Sequence, residues 1–383
     1  MKQVCQLCQQ TAPDRNLFCP EIYCPAEQSP TVFEYGERLA DLEIIKPVVI
    51  TRAATLYEAN HQGQKVLAKV AQVGDNHVAK LIREAQFLQQ FQLHKQRCAF
   101  LPTLRPPYIN SKLGQVSYGK AMRQGIFYHY YLFDFVEGEP LRDILTQNPE
   151  LWVSHVGWVV TSLAYTIDFL HQRGLLHYGL TPETILVHFE RKQPKVPRIL
   201  LVDLGIAANF RAFTGQWYDN FVPPAYLAPE LINRRQSPNN EVTDVYGLGL
   251  ILYEMLAGKP FITAKFRNEA TVRTAVGQGQ SINLHRTDLK SDVVDLTRQA
   301  LNSNPARRPK SIKEIESGLV QLFGKVPQPK QRRWPSLSTI LVVVSALLAV
   351  AMVIALALQP GLMAVVVAII LIIIFIVYQR NRK

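Results

Sequence analysis

Residues 337–378 form a run of 42 without one charged side chain, interrupted only by Gln-Pro-Gly at 359–361. An apolar stretch of 18 or more residues reads as a transmembrane helix, and ~20 residues cross the ~30 Å hydrocarbon core of a bilayer. As one continuous helix the run would be about 63 Å long, far more than one crossing needs. Pro360 and Gly361 are suited to break it. The sequence therefore predicts a C-terminal hairpin of two transmembrane helices, 337–358 and 362–378. Lys and Arg flank both outer ends of the hairpin and are absent from its turn. Because cytoplasmic flanks carry the excess of Lys and Arg, the rest of the chain and its C-terminus are expected in the cytoplasm. Trp334 and Tyr378 would sit near the interface.

This tail also explains the charge. Of the formal net +12, seven positive residues and no acid lie between 325 and 383, leaving +5 for residues 1–324. Much of that excess sits in a basic, Pro-containing linker, 324–336. Beside an apolar run, such residues point to a membrane partner and not to nucleic acid. No basic segment followed by an apolar run opens the chain, so no secretory leader is expected. In a reducing compartment the cysteines are not expected to form disulfides.

Four of the five cysteines fall in residues 1–30 with the spacing C-x2-C-x10-C-x4-C. Two such knuckles can offer four thiolates, from Cys5, Cys8, Cys19 and Cys24, to one tetrahedral zinc. A segment this small has little core, so a structural zinc would supply its folding energy. It resembles a zinc ribbon, a module that commonly binds partners. Cys98 reads as an ordinary small apolar residue.

Between head and tail the patterning changes along the chain. "KPVVITRAATLYEA" and "QKVLAKVA" are β-rich, joined by the turn "NHQG". "HVAKLIREAQFLQQFQ" has helical periodicity, with Val78, Leu81, Ile82, Ala85 and Leu88 on one face. "FYHYYLFDFVEGEPL" is an aromatic-rich strand, and beyond it the chain turns mainly helical, interrupted by "HYGLTPETILV" and the apolar strand "RILLVDLG".

Taken in order, these motifs resemble a bilobal protein kinase over residues 40–322, with a small lobe at 40–138 and a large lobe at 139–322. The expected class is an α+β protein-kinase-like fold. "VLAK" resembles the small-lobe V-A-I-K strand, which would make Lys69 the phosphate-contacting lysine. Glu84 matches the helix glutamate that pairs with it, and "FDFVEGEPL" the hinge that receives adenine through its backbone. "VDLG" resembles D-F-G, so Asp203 would bind magnesium. "APE" at 228–230 would end the activation segment, Asp244 would tie down the catalytic-loop backbone, and Arg308 would pair with Glu230.

The departures from that pattern are as specific as the matches. Kinases use a catalytic-loop Asp to accept the substrate hydroxyl proton and a nearby Asn to hold a second magnesium. Here those positions are Gly179 and Thr184, and the lysine expected two residues beyond Gly179 is Thr181. The Arg before the Asp is Tyr178. "ITRAATLYEA" lies where the glycine-rich loop should be and contains no glycine, so Arg52 would crowd the approach to phosphate. Glu183 matches a Glu that kinases keep and His177 a structural His satisfied by neighbouring backbone, so neither reads as a replacement base.

The retained groups bind nucleotide and the lost groups drive transfer. The sequence therefore reads as a membrane-anchored cytoplasmic pseudokinase, a scaffold or regulator for a cytoplasmic protein partner. Lys69, Glu84 and Asp203 would hold ATP weakly, with magnesium on Asp203. Two other readings stay open: an active, atypical Ser/Thr kinase with a base recruited from elsewhere, and an inert zinc-ribbon binding module that takes no nucleotide.

Overall fold

Strand β7 (Gln64–Ala71) sets the frame of the small lobe. Successive side chains on a strand face opposite ways. Val66, Ala68 and Val70 therefore join one apolar cluster with Val32, Leu39 and Tyr57, while Leu67 and Ala71 join another with the helix beyond. Lys69 shares that second face. The computed structural model describes residues 2–4, 11–12, 30–94, 97–105, 108–110, 114–189, 196–206, 208–209, 221–233, 241–263, 269–284 and 286–325. The cysteines proposed as zinc ligands and the charge-free tail lie outside the described residues.

Within them, the short strands β1 (Lys2–Val4), β2 (Thr11–Ala12) and β3 (Thr31–Val32) pair in the order β2-β1-β3. The main small-lobe sheet has the order β10-β11-β7-β6-β5-β4 and is antiparallel throughout. Its strands are β4 (Arg38–Leu39), β5 (Leu42–Ile50), β6 (Ala54–His61), β7, β10 (Gly119–Arg123) and β11 (Ile126–Asp134); the separate pair β8 (Tyr108–Asn110) and β9 (Gly114–Val116) lies between them in sequence. Gln62 and Gly63 turn β6 into β7 with φ of 51° and 76°. Two consecutive left-handed residues make the tight hairpin whose twist suits the flanking strands. Helix α1 (Asp75–Leu93) lies against β7 and β11 and buries Lys80, Leu81, Glu84, Ala85, Leu88 and Phe91. The expected face is shifted: Val78 and Ile82 are only half-buried, and two charged residues take part in the contact instead.

The large lobe is built on helices α3 (Val153–His171) and α5 (Val242–Ala257), after the short α2 (Leu141–Gln147) and the short α4 (Pro229–Asn233). Both α3 and α5 are buried around most of their circumference, as core helices must be. Farther on, α6 (Glu269–Gln278) packs on α4, α7 (Ser291–Ala300) on α5, and α8 (Ile312–Phe323) on both α3 and α5. The hairpin β12 (Ile185–Phe189) and β13 (Pro197–Leu201) faces the small lobe, and Leu186 shares one apolar cluster with Val49, Leu56 and Leu67. This is the bilobal architecture expected from the motifs.

Candidate functional site

Between the lobes, four buried charged side chains meet. The Lys69 ammonium donates to Glu84 Oε1 at 2.8 Å and Oε2 at 2.7 Å, to Asp203 Oδ2 at 2.8 Å and to the Val202 carbonyl at 3.0 Å. The sequence motifs had placed these three side chains together, and the structure does so. The fourth was missed. Lys80, one turn before Glu84 on α1, donates to Asp203 Oδ1 at 2.9 Å and Oδ2 at 2.8 Å. Burial pushes the Asp203 carboxyl up, but Lys69 and Lys80 outweigh it and hold the group well below the usual carboxylate range. Burial likewise pulls Lys69 down, and the carboxylates of Asp203 and Glu84 more than offset this.

Asp203 was expected to bind magnesium. Its Oδ1 accepts from Lys80 and, at 2.6 Å, from the Gly205 N–H; its Oδ2 accepts from Lys69 and Lys80. A carboxylate has about four lone-pair positions, and all are used. The Asn position brings no help. The Thr184 hydroxyl is buried and donates to the Thr181 carbonyl at 3.0 Å. A magnesium ion does not fit this arrangement of donors.

The catalytic-loop backbone is held as the motifs imply. Asp244 accepts the His177 N–H at 2.8 Å and the Tyr178 N–H at 2.7 Å, and its Oδ2 pairs with His171 Nε2 at 2.8 Å. His177 Nε2 donates to the Asp203 carbonyl at 2.9 Å, so its Nδ1 is left to accept the Gly179 N–H at 3.2 Å. One nitrogen donates and the other accepts, which describes a neutral ring. Burial pushes His177 down in the same sense. Glu183 accepts from Arg142 Nε at 2.8 Å, and the same guanidinium also bonds Glu254 and Tyr226. That network ties Glu183 to α2 and α5 and removes it as a base. Arg308 forms a two-pronged pair with Glu230, at 2.7 and 2.8 Å, as expected.

The absent Asp has no space waiting for it. A Cβ built on Gly179 would lie 2.9 Å from Val222 Cγ2. Nor is Arg52 placed against phosphate, as the sequence suggested. It forms an ion pair with Glu269 at the start of α6 in the large lobe. Beside it, Ala53 is buried in a cluster with Tyr178, Ile206, Phe221 and Val222. The hairpin tip is tightly wound, with the Thr51 N–H on the Ala54 carbonyl at 2.9 Å and the Gln72 N–H on the Ala53 carbonyl at 2.8 Å. The apolar walls of the cleft follow it inward. Val49, Leu56, Leu67 and Leu186 are each at most 4% exposed. These four side chains pack into one apolar cluster with α1 and the β-hairpin of the large lobe.

The model of the protein kinase domain matches residues 52–318. Ribosomal protein S6 kinase 2 alpha of Gallus gallus is 30% identical over 184 residues, covering 47% of this chain and 24% of the relative. The serine/threonine-protein kinase ULK3 of Mus musculus is 29% identical over 182 residues, covering 47% of this chain and 36% of the relative. The chain thus spans well under half the length of these relatives. Among solved structures, the PknI kinase domain of Mycobacterium tuberculosis matches with a TM-score of 0.49 and 20% identity, covering 77% of this chain and 100% of that one.

Proposed function

The chain belongs to the protein kinase family, and from that premise we propose that it is a pseudokinase, a regulator or scaffold in which the fold serves recognition and not phosphoryl transfer. Membership implies a domain built around ATP and magnesium. The observation that carries the proposal is the catalytic loop. Gly179 offers no carboxylate, and Glu183, the loop's other acid position, is locked by Arg142. Losing a positioned base costs ~10²- to 10⁴-fold in rate, and here the metal ligand at Thr184 and the cation at Thr181 are missing as well. The test is transfer of label from γ-labelled ATP to the protein itself and to a generic protein substrate, using the full chain in detergent. The expected result is no incorporation above an Asp203→Asn control. Incorporation that disappears in that control would establish an active kinase.

The packing of the hairpin tip on the large lobe supports a regulatory use. ATP reaches Lys69 only after the hairpin tip at 51–54 leaves Tyr178 and Val222, so nucleotide would act by opening the lobes. Arg52 and Glu269 form a partly exposed ion pair, a type worth up to ~1 kcal/mol. Arg52→Ala is therefore expected to leave overall stability nearly unchanged. It should speed amide hydrogen exchange at 49–56 and enlarge any stabilisation by ATP. Unchanged exchange would show that apolar packing around Ala53 alone holds the lobes.

The setting of the domain is part of the same proposal. The charge-free run at 337–378 would anchor the chain in a membrane with the kinase fold and C-terminus in the cytoplasm, and Cys5, Cys8, Cys19 and Cys24 would hold a structural zinc near a protein partner.

A further inference from the structure

Lys80 is a charged residue, yet its side chain is only 7% exposed. Burying an ammonium is costly unless it is paired and hydrogen-bonded, so its presence requires a partner. That partner is the carboxylate that the family's motif assigns to a metal. We propose that Lys80 is a built-in replacement for magnesium: its ammonium occupies the Asp203 carboxylate, and the cleft excludes divalent cations.

Charge, geometry and donor count agree. Lys69 and Lys80 balance Glu84 and Asp203, so the buried cluster is neutral as it stands. Without Lys80 the same cluster would carry a net negative charge and would attract a cation. Lys80 bridges both Asp203 oxygens at 2.9 and 2.8 Å, closing the face on which an ion would bind. Magnesium requires near-octahedral oxygen donors at ~2.0–2.1 Å, and the remaining neutral candidate, the Thr184 hydroxyl, is turned to the Thr181 carbonyl. The ammonium is also tethered to α1 four residues from Glu84, where it lies 3.9 Å from that carboxylate. A metal would have to break the ion pair that joins α1 to the large lobe before it could bind. The positive charge that a kinase recruits from solution is here part of the chain.

The inference rests on the cleft assigned above but not on the absence of transfer, since metal binding and label transfer are measured separately and either can fail alone. The experiment is manganese titration of the full chain in detergent, following the free ion by electron paramagnetic resonance. An Asp203→Asn variant serves as the background for sites elsewhere. Wild type is expected to bind no more manganese than this background. Lys80→Met is expected to gain about one equivalent, lost again in Lys80→Met combined with Asp203→Asn. Wild-type binding above the Asp203→Asn background would overturn the proposal, and this comparison does not depend on the folding of Lys80→Met. A folded Lys80→Met protein that takes up no manganese would overturn it too, because Asp203 would then not be a metal site that the lysine closes.

Discussion

Asp203→Ala is expected to destabilise the domain by about 3–5 kcal/mol, the cost of removing one partner from a buried ion pair. In a kinase that uses this aspartate only for metal, the substitution would abolish transfer and leave the fold largely intact. Here Asp203 is the acceptor for two ammonium groups whose side chains are 4% and 7% exposed, and removing it leaves them the Glu84 carboxylate and, for Lys69, the Val202 carbonyl. At roughly 2–4 °C per kcal/mol for a domain of this size, the melting temperature should fall on the order of 10 °C. The same pair predicts an acid limit. Because Asp203 is held below the ordinary carboxylate range, its contribution is present above an ordinary pKa of ~3.9 and is lost as pH falls through the lower folded value. Denaturant unfolding of the wild type should thus weaken steeply in strong acid, and Asp203→Ala should lack that part of the loss. Asp203→Asn combined with Lys80→Met should recover much of the stability, since the two residues interact directly and their effects do not add. A change below about 1 kcal/mol in the single variant, the size of an exposed pair, would mean that the buried cluster does not form.

The parts of this site that were legible in the sequence are those carried by local spacing. Alternation along "VLAK" puts Lys69 on the face of β7 toward α1, and the periodicity of "REAQFLQQF" brings Glu84 to meet it. Lys80 escaped because the helix was read by its apolar residues, and a lysine on a helix is normally a solvated charge. The available signal was its position one turn from Glu84, beside Leu81 and so next to the buried stripe. The Arg52–Glu269 pair spans 217 residues and the Arg142–Glu254 pair 112. Contacts at such separations depend on the closure of the two lobes and on the helix packing of the large one. Neither leaves a periodic trace in one sequence. The missing base at Gly179 was legible directly, but the filling of its space by Val222 was not, since Val222 comes from a loop whose path the motifs do not specify.

That filled space decides what happens when the missing residues are put back. Gly179→Asp combined with Thr184→Asn is expected to leave transfer at background and to lower stability by about 1–3 kcal/mol, the usual cost of overpacking a buried site. The new Cβ would meet Val222 Cγ2 at 2.9 Å. Val222 is itself 4% exposed and packed with Ala53, Tyr178 and Phe221. A β-branched side chain has little rotamer freedom with which to withdraw. Adding Val222→Ala should relieve the contact and separate the steric cost from the catalytic result. Even then the carboxylate would face a site with no lysine at Thr181, no glycine in the tip at 51–54, and an Asp203 saturated by Lys69 and Lys80. Phosphoryl transfer depends almost wholly on positioning and electrostatic stabilisation, so the two restored groups cannot act without the others. The check is label transfer by the triple variant beside its melting temperature. Transfer that appears in the triple variant and vanishes on Asp203→Asn would show that Lys80 yields its place to a metal once a base is present. Silence in a folded triple variant would place the block at the cation cluster and the hairpin tip, beyond the reach of the catalytic loop.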